Sequence, residues 1–275
     1  MSKISAKVGV TFDLWETLIF DRPELDETRA RMRCEGIQRA LERLGFSIAL
    51  VDVERGYEES ASRLQDVWDR NGEVPTLEQI LLIVELAGGE RTRIPASPEA
   101  TQALVTGYVD PILAFPPRLG KDVVSTLEDL QALGAKIGLI SNTGRAPGEV
   151  LRRLLQNYGV MKYFDATTFS NEIGCRKPDP RIFKQAANEL GMGPSQVIHV
   201  GDNPEADFQG ARDAGMKAVL FEPEQRHSNE WGPNSLFALS RRHQHSIGTA
   251  VDAGTRINSL RSVPGLVKRL RAGSG

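Results

Sequence analysis

Hydrophobic and polar positions change rhythm twice along this chain. A short apolar run from Val8 to Phe12 stops at Asp13 and reads as a buried strand ending on an exposed carboxylate. From about Pro23 to Ala114 the spacing is helical and no strand intervenes. Ile37, Leu41 and Leu44 share one face before Gly45 supplies a stop, and stretches near 53–71 and 76–87 continue the helical character. Ser97-Pro98-Glu99 reads as an N-cap followed by proline at the first helical position. Pro116-Pro117 closes this helical insert, because paired prolines cannot continue a helix and favour an extended connection.

From Gly120 onward strand and helix alternate, the signature of a parallel sheet covered on both faces. Val123, Val124, Leu127, Leu130 and Leu133 line one helix, and Gly134 ends it. A β-run over 136–140 delivers Ser141, and Val150, Leu151, Leu154 and Leu155 mark the next helix. The spacing then predicts a strand over 163–169, a helix through Ile182, Phe183, Ala186, Ala187 and Leu190, and a strand over 197–200. A helix over 205–214 and a strand over 218–221 follow. Residues 222–254 are polar, hold three of the four histidines and read as a long excursion, with a last strand over 256–260 and a closing helix over 263–270. His243 and His245 form an H-x-H pair, a spacing that in a loop usually faces solvent rather than metal.

Composition narrows the class. With 275 residues, 40% apolar and 25% charged, the chain has ordinary globular make-up and room for one large or two modest domains. The formal charge of -2 and the lack of a basic stripe with interleaved aromatics give no electrostatic support for a nucleic-acid partner. Two cysteines, Cys34 and Cys175, have neither metal spacing nor the density of a disulfide scaffold, which fits a reducing cytoplasm, and they read as small buried side chains. No stretch approaches the roughly 18 apolar residues of a membrane span, so the expected protein is soluble and cytoplasmic.

Four polar points end four apolar runs: Asp13, Ser141-Asn142, Lys177-Pro178, and Gly201-Asp202-Asn203 with Asp207 beyond. In open parallel sheets ligands bind beyond the carboxyl ends of strands, so these points can converge although distant in sequence. Asp13 is suited to attack phosphorus and form an aspartyl-phosphate. That attack brings a carboxylate toward an anion, and Lys177 together with a Mg2+ held by Asp13 and Asp202 would supply the required positive charge. The Ser141 hydroxyl, the amides after it and a helix starting near Pro147 can hydrogen-bond phosphate oxygens. Asp207 is a further candidate ligand, or a brace that accepts from backbone amides. Singly, each of these residues also reads as a cap, a turn or a solvated charge.

The segments Phe12-Asp13-Leu14-Trp15-Glu16-Thr17-Leu18, Leu139-Ile140-Ser141-Asn142, Arg176-Lys177-Pro178-Asp179-Pro180 and Val200-Gly201-Asp202-Asn203 with Asp207, Gly210-Ala211 and Ala214-Gly215 resemble the four motifs of the haloacid dehalogenase superfamily. The resemblance implies a Rossmann-like α/β core of residues 1–20 and 117–275 with an all-α cap, 21–116, inserted after the first motif. It implies Asp13 as nucleophile, Ser141 and Lys177 on the phosphate, and Asp202 and the backbone carbonyl of Trp15 on magnesium. Thr17 and Asn142 join Ser141 and Lys177 as candidate phosphate contacts. The expected activity is Mg2+-dependent hydrolysis of a small phosphorylated metabolite.

One position departs from the pattern. Phosphatases of this superfamily carry a second aspartate two residues after the nucleophile, and here Trp15 stands there. Indole cannot transfer protons, so general acid-base catalysis, typically worth about 10²–10⁴-fold, must come from elsewhere. Glu16 is adjacent, yet neighbouring side chains in an extended segment point oppositely. The aromatic residue and the Ser-Asn pair also resemble the 2-haloacid dehalogenases, which attack carbon without a metal. Asp202 argues against that alternative, since a bare carboxylate beside Asp13 would raise its pKa. A weakly active member that binds a phosphorylated ligand or a partner is the third reading. The cap is expected to determine the substrate. Arg29, Arg31 and Arg33 could contact a substrate carboxylate or second phosphate but read rather as a solvated face, and Tyr57, Trp68 and Tyr108 as packing rather than a substrate platform.

Overall fold

Strands β1 (Gly9–Phe12), β4 (Lys136–Ser141), β5 (Ala166–Phe169), β6 (Val197–Gly201), β7 (Lys217–Phe221) and β8 (Arg256–Ile257) pair in parallel in the order β5-β4-β1-β6-β7-β8. The computed structural model describes residues 8–90, 94–223 and 256–273. Helices α6 (Val123–Ala132), α7 (Gly148–Asn157), α8 (Ser170–Ile173), α9 (Pro180–Glu189), α10 (Gly210–Asp213) and α11 (Val263–Gly273) complete an α/β fold with a covered parallel sheet. Alternation along the strands explains why both faces are covered. Ile137 and Leu139, Ile198 and Val200, and Val219 and Phe221 belong to one apolar cluster with α6, α7 and α11. Ile140, Val197, Ala218 and Leu220 belong to a second with α9 and α10.

Between β2 (Ile19–Phe20) and β3 (Arg118–Leu119), which pair antiparallel, the chain forms α1 (Pro23–Arg43), α2 (Leu50–Trp68), α3 (Thr76–Leu86), α4 (Pro98–Val109) and the single turn α5 (Pro111–Ala114). The two strands fasten the entry and exit of this helical insert to each other. Ser97 accepts from the Ala100 amide at 3.2 Å, the N-cap that its spacing predicts. Helices α1 and α4 cross with backbones touching: a Cβ on Gly36 would stand 2.3 Å from the Gly107 carbonyl oxygen, so no larger residue fits.

Several expectations shift on meeting the structure. Arg29 and Arg33 are not a solvated face, being 1% and 4% exposed, whereas Arg31 is exposed. The reason is helical phase, since Arg29, Arg33, Ile37 and Leu41 follow one another at four-residue spacing on the inward side of α1. Within 163–169 only Ala166–Phe169 is strand, because Met161–Tyr163 turns as a 3₁₀ helix and Asp165 pairs with Ile137 through both backbone and side chain. The predicted helix over 205–214 opens as a π-helical turn, Pro204–Gln209, before α10. Trp68 and Tyr108 are buried as packing residues, and both cysteines are buried and free. Almost all of the excursion and its three histidines, His227, His243 and His245, lie outside the described residues. Among the described residues no helix is long and apolar enough to cross a membrane.

Candidate active site

The carboxyl ends of β1, β4 and β6 bring Asp13, Ser141 and Asp202 to one edge of the sheet. Asp13 leaves β1 with its amide still bonded to the Val200 carbonyl at 2.9 Å, so the neighbouring strand fixes its backbone. The chain then makes a tight turn: the Leu18 and Ile19 amides both bond the Leu14 carbonyl, and Glu16 takes a left-handed φ of 58°. The turn leaves Trp15 bridged to Ile19 and packed on the main apolar cluster. The Glu16 carboxylate is 3.5 Å from the Asp21 amide, and the Thr17 hydroxyl lies 3.5 Å from Asp13.

Lys177 is the hub. Its buried ammonium donates to Asp13 Oδ1 at 2.5 Å, to Asp207 Oδ1 at 2.6 Å and to the Ile140 carbonyl at 3.0 Å, using all three of its protons. Asn142 holds the backbone that carries it, accepting from the Lys177 amide at 2.8 Å and donating to the Lys177 carbonyl at 3.0 Å. Both polar ends of Asn142 are thereby committed to positioning. Ser141 is fully buried, and its hydroxyl meets the Asn142 carbonyl at 3.2 Å.

Carboxylate oxygens of Asp13, Asp202 and Asp207 lie within 4.8 Å of one another, and all three side chains are buried. Asp207 comes from the π-helical turn, where Asn203 caps the Glu205 and Ala206 amides. Its second oxygen accepts from the Asn203 amide at 3.0 Å, the bracing contact expected of it. Gly201 makes this approach possible, since a Cβ there would fall 2.3 Å from Asp207 Cγ. Below Asp207 stands a residue that the pattern did not single out: buried His199, in contact with Asp207 at 3.1 Å and with the Thr11 hydroxyl at 3.0 Å. A histidine inside the apolar run Val197–Gly201 was the available signal.

Charges in this pocket are unequal. Burial raises the Asp13 carboxyl to about 7, with Lys177 pulling it down and Asp207 pushing it up. Asp207 is shifted the other way: burial opposes its charge, but Lys177 and His199 outweigh burial and hold it well below the ordinary carboxylate range. Lys177 is raised, because Asp13 and Asp207 together overcome the cost of burying it. His199 is lowered by burial and stays neutral beside Asp207. Three carboxylates against one ammonium leave an excess of negative charge. Asp207 gives both oxygens to Lys177, His199 and the Asn203 amide, while Asp13 gives one oxygen to Lys177, so a divalent cation would fit the excess at Asp13 and Asp202.

A sequence profile of the haloacid dehalogenase-like hydrolases matches residues 8–215, a span holding all of these groups. The chain belongs to this family of hydrolases. Among curated relatives it is 38% identical over 130 residues to the glyceraldehyde 3-phosphate phosphatase of Methanopyrus kandleri, a match covering 46% of this chain and 54% of that protein. With the ribulose-1,5-bisphosphate 5-phosphatase of Halopiger xanaduensis it shares 28% identity over 250 residues, 88% of this chain and 95% of the relative. The match to the first thus spans about half of that relative's length, while the second aligns nearly end to end. The crystal structure of a 2-haloacid dehalogenase from Pseudomonas syringae superimposes with a TM-score of 0.60 at 22% identity, covering 96% of this chain and 99% of that one, a likeness of fold.

Proposed function

We propose that this haloacid dehalogenase-like hydrolase is a Mg2+-dependent phosphomonoester phosphatase in which Asp13 accepts the phosphoryl group. The observation that carries the reading is the cluster of Asp13, Asp202 and Asp207 around the Lys177 ammonium at the strand ends. Relatives named as phosphatases, of glyceraldehyde 3-phosphate and ribulose-1,5-bisphosphate, support it. Helices α1 to α5 serve as a cap over the core, with boundaries near residues 21 and 116.

In this reading Lys177 offsets substrate charge and holds Asp13 in register, while the Ser141 hydroxyl turns from its loop carbonyl to a phosphate oxygen, with Thr17 as a second hydroxyl donor. Asn142 fixes the Lys177 backbone. His199 and the Asn203 amide hold Asp207, so that Asp207 in turn holds Lys177. Asp13 and Asp202, with the Trp15 carbonyl, are the residues that would hold the cation. A Mg2+ held by these residues would keep Asp13 ionised and would supply positive charge against the transferring phosphoryl group. Asp13 attacks phosphorus as the ester oxygen departs, and water then hydrolyses the acyl phosphate and regenerates the carboxylate. Trp15 moves no proton, and Glu16 is turned toward the Asp21 amide, so proton transfer falls to a cap group or a substrate oxygen.

The 2-haloacid dehalogenase alternative is motivated by Trp15 and opposed by Asp202. A panel of phosphomonoesters and 2-haloacids assayed with added Mg2+ and with a chelator separates the two. Phosphate release that needs Mg2+ is expected. Halide release indifferent to chelation would replace this function with the other.

A further inference from the structure

Where the helical insert meets the loop after β4, two arginines are buried with no carboxylate of the described residues in contact. Arg33, on α1, donates Nε to the Tyr108 carbonyl at 3.2 Å and Nη1 to the Tyr57 hydroxyl at 3.3 Å. Arg145, four residues beyond Ser141, donates to the Tyr108 hydroxyl at 3.0 Å and to the Tyr57 carbonyl and Ser60 hydroxyl at 3.1 Å each. Its guanidinium also lies 3.8 Å from the Tyr57 ring centroid. Every one of these acceptors is neutral. Among the described residues neither arginine forms an ion pair with a carboxylate, and Arg33 Nη2 and Arg145 Nε make no hydrogen bond.

Neighbouring arginines behave differently. Arg29 is paired with Asp21, and Arg176 with Glu73. The carboxylate whose charge reaches both is Asp26, which sits 3.7 Å from Arg29 and makes no ion pair with Arg33 or Arg145, while burial pushes the Cys34 thiol up to about 12 and raises the Tyr108 hydroxyl. An arginine does not shed its proton to escape such a site. Burying a guanidinium without an anion costs several kcal/mol, and two together cost more. Neutral side chains could join insert to core without that penalty. Such an arrangement suits an anion, and its place along the chain puts it near the reactive centre. Arg145 hangs from the loop that begins at Ser141, and four residues of extended chain reach at most about 14 Å, within the span of a small metabolite.

We propose that Arg33 and Arg145 form a subsite for a second anionic group of the substrate, so that the protein selects phosphomonoesters whose far end carries a carboxylate or another phosphate. The inference rests on the phosphatase reading. The planar guanidinium forks suit either oxyanion, and Tyr57 and Ser60 hold Arg145 ready for it.

Three matched three-carbon probes test it: the bisphosphate of propanediol, phosphooxypropionate and hydroxypropyl phosphate. Calorimetric binding to Asp13→Asn protein, which needs no turnover, should favour at least one of the first two over the neutral third by about 10–100-fold. Preference for only one of them names the anion. In Arg33→Met/Arg145→Met on the same background the charged-to-neutral affinity ratio should collapse toward one. Equal binding of all three probes by Asp13→Asn alone overturns the subsite without any arginine being changed. So does a double variant that loses affinity for all three equally, since that is the mark of a structural bolt. Unmutated protein that hydrolyses none of the three while Asp13→Asn still discriminates among them would refute the phosphatase reading and leave the anion subsite standing.

Discussion

Buried charge occurs in two places in this molecule and is handled in opposite ways. At the strand ends Lys177 has three acceptors, two of them carboxylates, and every proton is spent. At the junction between insert and core, Arg33 and Arg145 are held by tyrosines, a serine and backbone carbonyls, with donors to spare. The first arrangement fixes geometry, which suits a step in which charge must develop at one set of atoms. The second leaves potential unspent, which suits recognition. A hydrolase needs both, and on the proposed function the sheet would carry the chemistry and the insert the choice of substrate.

Breaking the first region should have the largest consequence. In Lys177→Met, Asp13 and Asp207 lose the ammonium bonded to both, and kcat/KM toward any phosphomonoester is expected to fall at least about 10³-fold. Stability to denaturant should fall by about 3–5 kcal/mol, the usual cost of removing one partner from a buried ion pair. Activity within tenfold of the unmutated protein would show that Lys177 is scaffolding. Smaller effects belong to the seam between the two regions. Glu73 pairs with Arg176, whose amide bonds the Asn71 carbonyl and whose guanidinium bonds the Thr143 carbonyl and stacks 4.5 Å from the Trp68 ring centroid. Glu73→Gln keeps a hydrogen bond and removes the charge, so a loss of about 1–2 kcal/mol is expected by chemical denaturation, with kcat lowered less than about tenfold. A drop in kcat as deep as that of Lys177→Met would mean the seam is part of the reactive centre.

How far the sequence reveals this follows from the same contrast. Asp13, Ser141 and Asp202 interrupt apolar runs at strand ends and were legible there, and the covered parallel sheet with them; Lys177 does not end an apolar run, because the polar helix α8 and a loop separate it from β5, so only its motif made it legible. Asp207 was readable as a brace, though its hold on Lys177 depends on a π-helical turn and on Gly201, which no spacing rule encodes. His199 was hidden in plain view within a strand. The insert was legible as helices, but the burial of its arginines was not. Arg29 and Arg33 looked like surface charge because alternation with Arg31 drew attention away from the four-residue step that carries them inward. Arg145 sits in a loop, where only the tertiary fold could supply Tyr57, Ser60 and Tyr108 as neighbours.

The account depends most on Asp13 carrying the phosphoryl group between two half-reactions. Acid quenching during steady turnover with Mg2+, followed by mass analysis of the proteolytic peptides, reads this directly. The predicted result is a phosphorylated peptide spanning Asp13, acid-stable, discharged by hydroxylamine and missing from Asp13→Asn. Turnover that proceeds with no phosphorylated peptide, or with the label on another residue, would contradict it.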